Sequence, residues 1–269
     1  MDMSSDAAEV VKATQGAQSL RRAMAVLRAL AAAQDRGASL ADIAAQCGLT
    51  RPTAHRLLQV LVEEGLAERS PRGTRYLIGR DATLLGMARA SPFPIRAVAE
   101  PFLRRVCEAT GDSTVLTLRS GPDSICVDRR TGSYPIQVMA VAVGARLPLG
   151  VGVGGLTILA FLPDAEIAQL LQRNEGRLSR YRLTAAALLE RVREVRERRY
   201  AFTETGVIPG THALAVPVFG QDGRPVASLS INAMAQRLPR RRAQQLVPLL
   251  MEQAAGIARE HAQLAGSKG

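Results

Sequence analysis

The chain is 269 residues long, 47% hydrophobic and 22% charged with no Trp, which fits about two folded domains and excludes a disordered chain. No apolar run reaches the roughly 18 residues of a membrane-spanning helix, and Asp2, Asp6 and Glu9 stand where a secretory leader would be basic and then apolar. The net charge of +11 comes from 35 basic residues, all arginine except Lys12 and Lys268, and points to a polyanionic partner that guanidinium groups can grip bidentately.

Residues 1–17 are small and polar and are expected as a flexible tail. A helical apolar period starts at Ser19, the predicted N-cap, and runs through Leu20, Ala23, Met24, Leu27, Leu30 and Ala31 to a polar stop at Gln34-Asp35-Arg36-Gly37. Ser39 with Asp42 three residues on announces a second helix, which Gly48 ends. Leu49 and Thr50 join it to a third, where Pro52 occupies the first turn and Ala54, Leu57, Leu58, Leu61 and Val62 make one apolar stripe. After Gly65, two short strand-like runs flank the turn Ser70-Pro71-Arg72-Gly73. Three helices and a basic hairpin make a winged helix-turn-helix. Asp81 to Arg89 reads as a linking helix, and Ser91-Pro92-Phe93-Pro94 marks the boundary to the rest.

Beyond the boundary, 94–109, 156–162, 165–172, 185–198 and 239–263 read as helices, the last weakened by Pro248 and Gly256. Segments 113–118, 124–129, 136–142, 212–219 and 225–232 read as strands. The fold class is therefore α+β, with helices packed on a central antiparallel sheet. The domain reading is a tail to 17, a DNA-binding domain over 18–80, a linker helix over 81–98, a second domain over 99–264 and a tail over 265–269.

The stripe on the third helix leaves Arg51, Thr53, His55, Arg56 and Gln59 facing outward, and a helix in the major groove reads base edges with such donors and acceptors. At the hairpin tip, Ser70, Arg72, Thr74 and Arg75 suit phosphate or minor-groove contact. The glycines Gly150, Gly152 and Gly155 spell a dinucleotide-like GxGxxG, but no parallel βαβ unit surrounds them; N–H groups at a helix start there can still hold a carboxylate. Cys47, Cys107 and Cys126 match no zinc spacing and are expected as buried reduced thiols. The arginines of 185–200 read as a solvated face paired with Glu190 and Glu194. No nucleophile–base pair or metal-ligand cluster emerges, so neither catalysis nor a cofactor is expected.

Taken in order, Gln18-Ser19-Leu20-Arg21-Arg22-Ala23-Met24, Ser39-Leu40-Ala41-Asp42-Ile43-Ala44, Leu49-Thr50-Arg51-Pro52-Thr53-Ala54-His55-Arg56-Leu57-Leu58, Gly144-Ala145-Arg146-Leu147-Pro148-Leu149, Ala215-Val216-Pro217-Val218 and Ala227-Ser228-Leu229-Ser230-Ile231 resemble the IclR family of bacterial transcriptional regulators over residues 18–264. The resemblance implies an N-terminal winged helix-turn-helix and a C-terminal GAF-like effector domain. It implies a cytoplasmic homodimer or homotetramer that binds a double-stranded DNA operator and answers to a small organic acid, aromatic acids among them. Family ligand positions carry over to Val153, Gly154, Thr203, Ala213, Ser230 and Asn232, with Arg146 and His212 as candidate carboxylate partners, although His212, at the start of a strand, reads first as a satisfied structural histidine. A leucine at Gly154 is expected to plug the cavity mouth. Three departures from the family pattern, Gly154-Gly155-Leu156, Thr203-Glu204-Thr205-Gly206 and Ala213, imply a less polar pocket and a larger or more apolar effector. Two alternatives are a second domain that only oligomerises and an enzyme with an accessory DNA-binding domain. A pocket lined by polar groups favours sensing over assembly. Repression or activation is not encoded in the chain.

Overall fold

The computed structural model describes residues 17–33, 36–71, 73–88, 94–205 and 207–266. Most of the expected N-terminal tail, the polar stop at 34–35, Arg72 and the 89–93 boundary lie outside those residues. Contacts divide the chain into two compact units, residues 1–89 and 90–269.

The first unit is a winged helix-turn-helix: α1 (Gln18–Ala33), α2 (Leu40–Cys47), α3 (Arg51–Glu63), the hairpin β1 (Ala67–Arg69) and β2 (Tyr76–Ile78), and α4 (Arg80–Met87). Ser19 is not a cap but lies inside α1, whose first hydrogen bond runs from Arg21 N–H to the Ala17 carbonyl. At α2 the capping box forms: Ser39 Oγ accepts from Asp42 N–H, and Asp42 accepts from Ser39 N–H, both at 3.2 Å. The Ser39 hydroxyl, donating to the Asp42 carboxylate at 2.7 Å, and then the Ser39 N–H hold that carboxyl below its ordinary pKa. Gly48, at φ +63°, turns the chain so that its own N–H and that of Leu49 close on Ala45 and Ala44. Thr50 then caps α3 at Thr53 N–H. Val26, Leu30, Ile43, Leu58, Leu61 and Tyr76 form one core. Ala38 exchanges two 2.9 Å backbone bonds with Tyr76, giving the wing a third edge.

In the second unit, α5 (Pro94–Thr110) precedes β3 (Ser113–Ser120), β4 (Asp123–Arg130), β5 (Arg146–Pro148), α6 (Gly152–Ala160), α7 (Asp164–Leu178), a 3₁₀ turn (Ser179–Tyr181), α8 (Ala185–Arg198), β6 (Ala201–Thr203), β7 (Thr211–Phe219), β8 (Pro225–Met234) and α9 (Arg240–Gly266). The strands form one six-stranded sheet ordered β5-β4-β3-β8-β7-β6, with every neighbouring pair antiparallel. Alternation gives the sheet two unlike faces. Leu116, Leu118, Leu214, Val216, Leu229 and Ile231 point to α5 and α9. Thr117, Ala213, Ala215, Ser228 and Ser230 are small and point the other way, where Ala213 and Ala215 join the core made by α6, α7 and α8.

Pro248 and Gly256 do not interrupt α9. At Gly256 a Cβ would lie 2.1 Å from Phe102 Cε1, so the glycine serves the close approach of α9 to α5. The strand expected over 136–142 is an irregular loop. Val138 is buried but Ile136 and Met139 are exposed, and the Gln137 amide ties the loop to Gly111, Tyr134, Ser113 and Gly132 instead of a partner strand. The short strands β5 and β6 were not expected. Asp112, 2% exposed, accepts from both Arg237 Nε and Arg242 Nη1 at 2.8 Å, joining the start of β3 to the start of α9.

Candidate functional site

On α3, Ala54, Leu58 and Leu61 are buried, while Arg51, Arg56 and Gln59 are exposed. Thr53 and His55 are half-buried rather than fully outward, and the Thr53 hydroxyl is already bonded to Thr50 Oγ1 at 2.9 Å. Val60, 53% exposed, shares the outer surface. At the wing, Ser70 closes the turn: its N–H meets the Arg75 carbonyl and its Oγ accepts from Arg75 N–H. Arg75 does not reach outward as a free cation. Its Nη1 donates to the Arg36 and Gly37 carbonyls at 3.3 and 3.2 Å. Arg69, stacked 5.3 Å from the Tyr76 ring, is exposed beside it. Arg72 lies outside the described residues.

The second unit contains a cavity of about 630 Å³, a size typical of small-molecule sites. Its floor is the small-residue sheet face: Thr117, Ser124, Cys126, Thr203, Ala213, Ser230 and Asn232. Its far side is Leu147, the start of α6 from Val151 to Gly155, the turn Arg180 to Leu183, and Arg191 of α8. Six expected effector residues, Val153, Gly154, Thr203, Ala213, Ser230 and Asn232, thus lie in one lining. The α6 start rests directly on the sheet: Ser228 Oγ donates to the Gly154 carbonyl at 3.0 Å, and a Cβ on Gly154 would stand 2.7 Å from Thr117 Oγ1. Gly154 is therefore a close helix–sheet contact, and a leucine there collides with β3 instead of plugging an opening. Gly150 and Gly152 take positive φ, and α6 follows the edge strand of an antiparallel sheet, so the GxGxxG glycines do not form a dinucleotide turn.

Arg146 and His212 are not in the lining. Each is one residue out of phase with a lining residue, Leu147 and Ala213, so period-two alternation puts it on the opposite sheet face. Arg146 donates to Ser120 Oγ at 2.8 Å, and His212 Nδ1 meets the Leu238 carbonyl at 2.8 Å. Among the described residues, the guanidinium groups in the lining are Arg180, Arg182 and Arg191, and no Asp or Glu lines the cavity. Arg182 is held at φ +55°, a backbone region that non-glycine residues rarely adopt. Arg191 belongs to the run expected as a solvated face. That expectation holds for Arg193 and Arg198, paired with Glu190 and Glu194. It fails for Arg196, which donates to the Ala160 and Leu162 carbonyls at the end of α6, and for Arg191. Burial lowers the Arg191 pKa, with the nearby Glu194 charge opposing it. The signal was present in the sequence: Leu188, Val192 and Val195 are the buried stripe of α8, and residue 191 falls on that stripe. Burial pushes the Cys126 thiol up to about 12, leaving it a protonated thiol; Cys107 is buried, whereas Cys47 is only half-buried.

Residues 87–259 match the family model described as bacterial transcriptional regulator IclR C-terminal, and residues 19–71 match the IclR helix-turn-helix domain. The HTH-type transcriptional regulator XynR of Escherichia coli (strain K12) is 27% identical over 226 residues, which are 82% of this chain and 88% of the relative. The probable transcriptional regulator SauR of Cupriavidus necator is 30% identical over 81% of this chain and 86% of its own length. Among solved structures, an IclR transcriptional regulator from Alicyclobacillus acidocaldarius superposes with a TM-score of 0.68 at 26% identity, covering 90% of this chain and 97% of that one. An IclR homologue from Microbacterium hydrocarbonoxydans complexed with 4-hydroxybenzoate shares the fold at a TM-score of 0.67 and 24% identity, covering 90% and 98%.

Proposed function

The chain belongs to the IclR family of bacterial transcriptional regulators, and from that premise we propose how this DNA-binding regulator reads its operator and senses its effector. The reading helix is α3, with Arg51, Arg56 and Gln59 presented to base edges in the major groove and His55 and Thr53 beside them. The wing, through Ser70, Arg69 and Arg72, meets the backbone of the duplex. A small organic acid occupies the cavity of the second unit and shifts operator affinity through its unequal affinity for two arrangements of a homodimer or homotetramer. No membrane is involved, and the site of action is the cytoplasm.

The observation that carries the effector half is the cavity itself: about 630 Å³, with hydroxyls and the Asn232 amide on its floor and, among the described residues, three guanidinium groups and no carboxylate in its lining. A domain serving only to oligomerise has no use for a hollow polar centre, because unfilled space and unpaired polar groups both cost stability. The observation that carries the DNA half is α3, whose capped start presents two exposed arginines above a buried stripe.

Two measurements test the reading together. In binding assays, Arg56→Ala should weaken cognate-operator binding by about 1–3 kcal/mol more than binding to random duplex. Equal loss on both duplexes assigns Arg56 to phosphate and removes it from base reading. In thermal-shift assays, small organic acids should raise the melting temperature, as any ligand of the native state does, and should alter operator affinity at the same concentrations. Stabilisation without any change in operator affinity refutes the regulatory coupling.

A further inference from the structure

The lining of the cavity is electrostatically one-sided, and its three guanidinium groups differ in setting. Arg180 and Arg182 are exposed, while Arg191 is half-buried. Every other arginine of α8 has a partner: Arg193 meets Glu190, Arg196 meets two carbonyls and Asp164, and Arg198 meets Glu194. Arg191 makes neither hydrogen bond nor ion pair among the described residues. It sits between Leu188 and Val192, at a place on α8 where an apolar side chain would pack.

A partly desolvated cation with no partner is unfavourable in the empty protein, and the lowered Arg191 pKa has burial as its first cause. Across the same cavity, Asn232 also makes no side-chain hydrogen bond among the described residues. The first turn of α6, Gly152 to Gly155, lines this space, and backbone donors at a helix start favour an anion. Val151, Leu147, Leu183 and Val207 supply the apolar part of the lining.

We infer that Arg191 is the residue that receives the anionic group of the effector, and that the effector is an organic acid whose apolar body fills the rest of the cavity. The inference rests on the reading of this cavity as the effector site. A planar guanidinium fork pairs with a carboxylate through two parallel hydrogen bonds. A neutral amide of the same shape brings no charge to a cation whose burial the nearby Glu194 only partly offsets, and is rejected, as sites built around a polar contact reject analogues that lack it.

The test uses the full chain and matched probes: benzoate, 4-hydroxybenzoate, phenylacetate and hexanoate, each beside its primary amide. Affinities are measured by titration calorimetry and thermal shift for the natural protein, Arg191→Gln, Arg191→Lys and Ala213→Leu, the last filling the cavity from the sheet side. One or more acids should bind and the amides should not. Arg191→Gln should weaken acid binding by about tenfold to a hundredfold, the range for a hydrogen bond to a charged group, and Arg191→Lys should restore part of it. The ligand-free melting temperature of Arg191→Gln should be equal to or above that of the natural protein, because a partnerless charge is removed. Acid binding that survives Arg191→Gln but is lost in Ala213→Leu overturns the role of Arg191 and leaves the cavity as the effector site. Binding that survives both variants overturns the cavity reading as well. Amides that bind as well as acids, or no acid binding at millimolar concentration, overturn the anionic class. A lowered ligand-free melting temperature in Arg191→Gln assigns Arg191 to structure instead.

Discussion

Gly154 shows how a site residue can be read as space when it is contact. A Cβ added there would lie 2.7 Å from Thr117 Oγ1 and 3.1 Å from Ser228 Oγ and Thr117 Cβ. Relief is limited on both sides. Thr117 is a buried residue in the middle of β3, paired with Cys126 and Ser228, and Ser228 holds α6 down through the Gly154 carbonyl. Overpacking of this kind costs about 1–3 kcal/mol, while replacing glycine by alanine within a helix returns up to about 1 kcal/mol. Gly154→Ala should therefore destabilise the effector-free protein by about 1–2 kcal/mol. Thr117→Ala removes the 2.7 Å contact and leaves only those near 3.1 Å, so the two substitutions should couple favourably by about 1 kcal/mol. The assay is urea unfolding followed by far-UV circular dichroism on all four members of the double-mutant cycle. Unchanged or increased stability in Gly154→Ala, or strict additivity in the cycle, refutes the close-contact argument.

Three further outcomes are expected. Arg75→Ala should leave the salt dependence of DNA binding unchanged while costing the first unit about 0.5–1.5 kcal/mol from its lost carbonyl bonds; Arg72→Ala, on the sequence reading, should lower the salt slope by about one unit, and a reversed pair of results exchanges their roles. Asp112→Ala, which strips both Arg237 and Arg242 of their shared acceptor, should cost about 3 kcal/mol in chemical denaturation, and a loss below about 1 kcal/mol shows that the join is ornamental. For Cys126, the folded pKa of about 12 lies above the ordinary 9.0, so the unfolded chain releases its proton first as pH rises. Its contribution is present below pH 9 and should be lost at up to about 1.4 kcal/mol per pH unit between pH 9 and about 12; a pH dependence there that Cys126→Ala does not reduce removes the thiol as its source.

The first unit was legible because its signals are local. Ser39 with Asp42, Gly48, Thr50 with Pro52, and the stripe from Ala54 to Leu61 each act within a few residues of themselves. The cavity was half legible. Residues carried over from the family reached the lining, but Arg146 and His212, guessed from their chemistry, each missed by one position, and one position on a strand exchanges the two faces. Arg191 was missed because an arginine among arginines reads as surface until it is placed on the stripe of Leu188, Val192 and Val195. The loop over 136–142 has an apolar composition that reads as strand, yet nothing local reveals that the Gln137 amide ties it to residues 111, 113, 132 and 134 instead. Arg75 was assigned outward because its two carbonyl partners belong to residues 36 and 37, far away in sequence.

Thr203, Ala213 and Asn232 stand in register on β6, β7 and β8, one side chain from each of three adjacent strands on the cavity floor. Neighbouring strands lie about 4.8 Å apart, so the row works as a ruler with marks at zero, about 5 and about 10 Å. A bound molecule lying across the strands has its substituents sorted by distance, each mark answering to a different residue. Changing Ala213 alters the middle mark and leaves the two ends in place. If the cavity is the effector site, as proposed above, its specificity can be rewritten one substituent at a time, without asking the sheet to move.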